Sequence, residues 1–134
     1  LRIAGKGRDR EALEAMAAPN VEFLGYVPDE EVGALYARCR ALIFPGREDF
    51  GITPVEAQAA GRPVIAYSQG GALDTVVPGE TGAFFHEPTV EALVEAVRAF
   101  DAEAVDPLAC RANAERFSVE RFRREILAAV QAQI

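Results

Sequence analysis

The stretch "ALIFPGREDFGITPVEAQAAGRPVIAYS", residues 41–68, reads as strand, loop, helix, turn and strand. "ALIFPG" (41–46) opens with a short apolar run of the kind that forms a strand buried on both faces. "PVEAQAA" (54–60) has the composition of a short helix. Thr53 stands as its expected N-cap, Pro54 as its first helical residue, and Glu56 three residues after the cap, the T-x-x-E spacing of a capping box. Gly61 falls where a helix stop is favoured, and "PVIAYS" (63–68) is again strand-like. Short strands alternating with short helices imply a parallel sheet with right-handed crossovers.

The pattern extends to both sides. "LRIA" (1–4) reads as a buried strand entering the turn "GKG" (5–7), and "REALEAMAA" (10–18) as a helix. "VEFLGYV" (21–27) reads as a strand, and "DEEVGALYARC" (29–39) as a helix whose acidic first turn suits the macrodipole. Downstream, "QGGALDTV" (69–76) is a glycine-led turn with a turn or two of helix, and "GETGAFFHE" (79–87) a turn and a last strand. Helices follow at "TVEALVEAVRAF" (89–100), with Thr89 as N-cap, "PLACRANAERF" (107–117), and "VERFRREILAAVQAQI" (119–134), capped by Ser118. No internal repeat, low-complexity run or linker interrupts the chain. The expected fold is a Rossmann-like three-layer α/β/α domain with a parallel sheet and a helical C-terminal tail, one unit over residues 1–134.

Half of the residues are hydrophobic, enough for a core in a chain of 134. Fourteen Lys and Arg stand against 21 Asp and Glu, a formal net charge of −7 that opposes binding to a nucleic-acid backbone. Cys39 and Cys110 have no partners at metal-ligand spacing and read as buried reduced thiols, as in a cytoplasmic protein. No apolar run approaches the ~20 residues of a membrane-spanning helix, so membrane contact is expected only through parts outside this chain. The abrupt start at "LRIAGKG" suggests a domain cut from something longer.

In open parallel sheets ligands bind beyond the carboxyl ends of the strands. That directs attention to the loops Gly5–Gly7, Gly25–Pro28, Gly46–Thr53 and Ser68–Ala72, richer in glycine than turning alone requires. The third loop brings Glu48, and the helix after it Glu56. "FGI" (50–52) would present free N–H groups at a helix N-terminus, a site suited to phosphate oxygens. Carboxylates are acceptor-only groups matched to sugar hydroxyls, so the pair suits an elongated ligand with two sugars and a phosphate.

"EDFGITPVEAQAAGRPVIA" (48–66) closely resembles the E-x7-E signature of retaining glycosyltransferases of the GT-B fold, family 4, in their C-terminal nucleotide-sugar-binding domain. Glu48 and Glu56 fall on the two signature positions. The resemblance also covers "GKG", "VEFLGYVPDEEVGALYARC", "ALIFP", "GGALDTV" and "GETGAFF", in the expected order along nearly the whole chain. It implies that Glu56 binds the nucleotide ribose and that Glu48 contacts the transferred sugar at the catalytic centre. It further implies that the N–H groups of Phe50, Gly51, Ile52 and Thr53 take phosphate or sugar oxygens. Gly5, Lys6 and Gly7 would let the chain pass close to the donor, and Tyr26, Val27 and Pro28 would line the base.

The family needs no metal and no cofactor; its donor, a GDP- or UDP-sugar, is a substrate. The resemblance also implies an N-terminal GT-B domain carrying the acceptor site, and a first strand of this domain lying outside the chain. With that strand goes the Arg and Lys pair that relatives place on the diphosphate; Lys6 and Arg47 are nearby cations but not that pair. Asp74 stands where relatives more often have Glu, and Val119 where an aromatic often follows the Ser. The last helix packs on the other domain in relatives, so part of the Arg121, Arg123 and Arg124 face is either solvated or an interface.

"EDFGITPVEAQAAGRPVIAY" with "GGALDTV" looks most like mannosyltransferases that use GDP-mannose, with UDP-sugars as the rival. The competing functions are a nucleotide-sugar epimerase of the same overall fold and a non-catalytic α/β binding module. His86, the lone histidine, is expected to face solvent, while Phe44, Phe84 and Phe85 are expected in the core.

Overall fold

The computed structural model describes residues 1–133 and divides into two compact units, Leu1–Ala34 and Leu35–Ile134. The strands and helices alternate along the chain as read from the sequence.

The N-terminal unit holds β1 (Arg2–Ala4), α1 (Arg10–Met16), β2 (Glu22–Gly25) and the start of α2 (Asp29–Arg38). β1 and β2 pair in parallel, Arg2 opposite Glu22 and Ile3 opposite Phe23, with a register shift before Ala4. Arg2 and Glu22 also form an exposed 2.9 Å ion pair across the strands. β1 is not the buried strand its composition suggested. Arg2 and Ala4 are exposed and Ile3 only half-buried, because a strand with one hydrogen-bonded neighbour and alternate outward residues leaves one face open.

The C-terminal unit is built on a three-stranded parallel sheet in the order β3 (Leu42–Phe44), β4 (Val64–Tyr67), β5 (Gly82–Phe85). β4 is the middle strand, with Val64, Ile65 and Ala66 all buried. The role of doubly buried strand, expected of "ALIFPG", belongs instead to β4, the central strand of the sheet; in β3 only Phe44 is buried. α3 (Ile52–Ala59) connects β3 to β4, and α4 (Ala72–Thr75) connects β4 to β5. The helical tail comprises α5 (Val90–Ala99), a 3-10 turn (Ala102–Ala104), α6 (Pro107–Glu115) and α7 (Val119–Gln131).

The core packs Phe44, Ala57, Val64, Ala66, Ala72 and Val76, with Tyr36, Leu42 and Phe84 against it. Phe85 is buried as expected, and His86 is exposed. Several terminators read from sequence do their expected work. Gly61 N–H donates to the Gln58 carbonyl at 2.8 Å and Arg62 N–H to the Ala57 carbonyl at 2.9 Å, the paired bonds of a Schellman stop. Thr89 caps α5 through the Ala92 N–H at 3.2 Å, and Ser118 caps α7 through the Arg121 N–H at 3.3 Å. Asp106 caps α6 ahead of Pro107, its side chain accepting from the Leu108 N–H. Both thiols are free, Cys110 buried and Cys39 only partly so; burial is the main cause raising the pKa of each. Among the described residues no helix is long and apolar enough to cross a membrane.

Candidate functional site

The candidate residues divide between the units. In the C-terminal unit Glu48, Phe50, Gly51, Ile52 and Thr53 lie on the loop after β3 and the first residues of α3, and Glu56 lies one turn further along that helix. In the N-terminal unit Gly5, Lys6 and Gly7 follow β1, and Tyr26 and Val27 follow β2.

α3 begins earlier than its sequence suggested. Gly51, at φ 79°, is the N-cap residue, so Ile52, Thr53 and Pro54 form the first turn. A side chain at position 51 would carry the strain of that backbone and also come within 3.1 Å of the Phe44 ring. Thr53 is therefore not the cap, and α3 has no side-chain cap at all. The expected T-x-x-E capping box does not form. Proline does not mark the first helical residue uniquely, because it is tolerated throughout the first turn, where its absent N–H has no acceptor within the helix.

The early start has a chemical consequence. Helix geometry leaves the N–H groups of Ile52 and Thr53 without intrahelical acceptors, at the positive end of the α3 dipole. Ile52 and Thr53 are exposed, as is Phe50. The Glu48 side chain is exposed and, among the described residues, enters no ion pair or hydrogen bond. Glu56 is also exposed and free of ion pairs, but its Oε2 accepts a 3.1 Å hydrogen bond from the Tyr36 hydroxyl. Burial first, then the Glu56 charge, pushes the Tyr36 phenol above its ordinary pKa, so it remains a donor at neutral pH.

The loop carrying Glu48 is braced from behind. Gly71 N–H donates to the Glu48 carbonyl at 2.8 Å. A Cβ on Gly70 would overlap the Glu48 carbonyl, and one on Gly71 would overlap the backbone of Phe50. The glycine pair of the Ser68–Ala72 loop thus has a packing reason. It lets two loops at the carboxyl edge touch through their backbones, where the sequence had suggested room for a ligand. At the same edge the Ser68 hydroxyl and His86 Nδ1 lie 2.8 Å apart.

α3 is held in turn by a buried polar network. Gln58 Nε2 donates to the carbonyls of Pro54 (3.0 Å) and Thr75 (2.8 Å). Asn113 Nδ2, from α6, donates to Gln58 Oε1 (2.6 Å) and to the Thr75 carbonyl (2.8 Å), and Asn113 Oδ1 accepts from Arg116 (2.7 Å). Every buried side-chain polar atom among the described residues has a partner. The only sequence signal for this network was one amide on each of two otherwise small and apolar helix faces. Tyr36 had no signal at all, since helical spacing shows a ring for the core but not where its hydroxyl points.

In the N-terminal unit the Gly5 N–H donates to the Gly25 carbonyl at 2.6 Å, joining the two strand ends. Lys6 Nζ stands 6.0 Å from the centroid of the Tyr26 ring, a cation–π distance. Lys6, Gly7 and Tyr26 are exposed, while Val27 and Pro28 are half-buried at the entry to α2.

The profile of the family described as Glycosyl transferases group 1 matches residues 1–117. An alpha-1,3/1,6-mannosyltransferase, ALG2 of Dictyostelium discoideum, is 43% identical over 89 residues, covering 66% of this chain and 20% of the relative. A GDP-mannose-dependent alpha-(1-6)-phosphatidylinositol monomannoside mannosyltransferase of Mycolicibacterium smegmatis is 36% identical over 110 residues, 72% of this chain and 29% of the relative. Among solved structures, the apo form of the lipopolysaccharide outer core galactosyltransferase WaaB superposes with a TM-score of 0.85 at 23% identity, covering 100% of this chain and 41% of that one. Anabaena HepE, in complex with UDP and glucose, gives 0.75 at 24% identity over 98% of this chain and 40% of that one. The chain thus spans less than a third of the length of these curated relatives. Its parallel α/β architecture is that of part of a GT-B glycosyltransferase, and the chain belongs to the glycosyl transferases group 1 family.

Proposed function

We propose that this chain is the donor-binding domain of a retaining, metal-independent glycosyltransferase that moves a hexose from a nucleotide sugar to an acceptor held by an N-terminal domain. The observation that carries the reading is the exposed start of α3, whose first N–H groups lack intrahelical acceptors, with Glu48 ahead of it in the chain and Glu56 one turn along it, both exposed and, among the described residues, without ion pairs. In this assignment Glu56 accepts the ribose hydroxyls and the amides of Phe50, Gly51, Ile52 and Thr53 take diphosphate or sugar oxygens. Glu48 holds hydroxyls of the transferred hexose.

The chemistry required of α3 is electrostatic. As the glycosidic bond breaks, negative charge builds on the leaving diphosphate, and donors already fixed at a helix end stabilise it without reorganising. In a retaining transfer the acceptor then attacks from the face the diphosphate leaves. The likeness to two mannosyltransferases, one of them named as GDP-mannose-dependent, supports GDP-mannose as donor, and the likeness to HepE in complex with UDP supports UDP-sugars as the alternative.

The test is a titration of the chain with GDP, UDP and ADP, followed by NMR at the amides of Phe50 to Glu56, with Glu56→Ala alongside. Selective shifts that disappear in the folded variant support the site and identify the base. A well-folded chain silent to all three at millimolar concentration refutes it and favours a non-catalytic α/β module.

A further inference from the structure

Among the described residues the hydroxyl of Tyr36 has one hydrogen-bond partner, the Oε2 of Glu56 at 3.1 Å. Tyr36 packs against the core cluster of Phe44, Ala57, Val64, Ala66, Ala72 and Val76. The backbone beneath it is tied down as well, because Arg62 donates from Nε and Nη2 to the Ala37 carbonyl. A phenylalanine would satisfy that packing, so the hydroxyl is surplus to the core and serves only the carboxylate. Among the described residues Glu56 has no ion pair to orient it, and an exposed glutamate without a partner samples many rotamers.

We propose that Tyr36 is a positioning residue that fixes the Glu56 carboxylate, leaving Oε1 and the remaining lone pair of Oε2 to accept the two hydroxyls of a cis-diol. The inference rests on the nucleotide-sugar reading above. A carboxylate offers about four acceptor sites, so one bond to tyrosine leaves capacity for a bidentate diol. Tyrosine suits this role better than a cation would. It orients the carboxylate without neutralising the charge that makes it a strong acceptor, and its raised pKa keeps the proton in place.

A purely structural role, tying α2 to α3, makes a different prediction. Removing the hydroxyl would then weaken all ligands equally or none. The experiment therefore compares UDP and GDP with their 2′,3′-dideoxy counterparts on the unsubstituted chain, Tyr36→Phe and Glu56→Gln, with affinities from NMR titration and folding checked from the same spectra. The expected result is tighter binding of the ribose form by the unsubstituted chain. Tyr36→Phe should bind that form about fivefold more weakly, the loss of one charge-assisted hydrogen bond partly compensated by solvent, and the dideoxy form unchanged. Glu56→Gln should shrink the same preference. Equal losses on both forms, or a diol preference that Tyr36→Phe leaves intact, overturns this inference alone. An unsubstituted chain that binds no nucleotide, or shows no diol preference, overturns the ribose assignment and the inference with it.

Discussion

Asn113→Leu isolates the buried network that holds α3 in place. The substitution is similar in size, so it exchanges polar partners without opening a large cavity. Gln58 is fully buried and Asn113 is 7% exposed, so water has little access to the groups left behind. Gln58 Oε1 loses its donor, at a cost of about 1–3 kcal/mol for an unsatisfied buried acceptor. The Thr75 carbonyl loses one of its two donors, about 1 kcal/mol more, while Gln58 Nε2 still serves it. Arg116 turns to solvent at little cost. The sum is a destabilisation of roughly 2–4 kcal/mol, read by urea denaturation, or roughly 6–12 °C in melting temperature for a chain of this size. A double-mutant cycle with Gln58→Met should return a coupling energy of at least about 1 kcal/mol, because the two amides share a bond and an acceptor. A loss below about 1 kcal/mol with no coupling would refute the argument, since it would mean that the orphaned oxygen finds water in a site that is closed in the structure.

Three further outcomes follow from particular contacts. Gly71→Ala drives a Cβ into the backbone of Phe50, so denaturation should show a loss at the top of the overpacking range, about 3 kcal/mol or more, with amide shifts spread over Glu48 to Ile52. Thr53→Ala should change stability by less than about 0.5 kcal/mol, whereas Thr89→Ala should cost about 1 kcal/mol, because Thr89 caps its helix and Thr53 does not. The pH dependence of stability should differ between the unsubstituted chain and Tyr36→Phe only in alkali. The Tyr36 phenol is raised in the folded state above its ordinary 10.0, so its contribution is complete below that pH and is lost as pH rises beyond it, when the unfolded chain ionises first. Chemical denaturation at a series of pH values from 8 to 12 checks the sign; a difference that grows toward acid would contradict it.

Much of the candidate site was legible because its signals are local. An apolar run, a glycine-rich loop and a small-residue helix within residues 41–61 locate the β3–α3 turn whatever surrounds them. The exact start of α3 was not legible. Threonine followed by proline and then glutamate matches a capping box as a string, but the competing start at Gly51 depends on a left-handed backbone that packs on Phe44, a contact made across the turn. The burial of β1 was misread for a similar reason. Composition records that a strand is apolar, not how many neighbours it acquires.

By itself the sequence determined the alternation of strands and helices, the parallel pairing, the helix stop at Gly61 and the caps at Thr89 and Ser118. Each depends on interactions within a few residues, or on the geometric rule that strands joined through a helix run the same way. The tertiary structure alone decided that β4 is the central buried strand and that Gly70 and Gly71 exist for a backbone contact with the Glu48 loop. It alone decided that Gln58 meets Asn113 across 55 positions and that Tyr36 reaches Glu56 across 20. Those pairings depend on where the side chains arrive after the chain has packed. A one-dimensional pattern constrains which face a residue occupies, but not which partner stands opposite it.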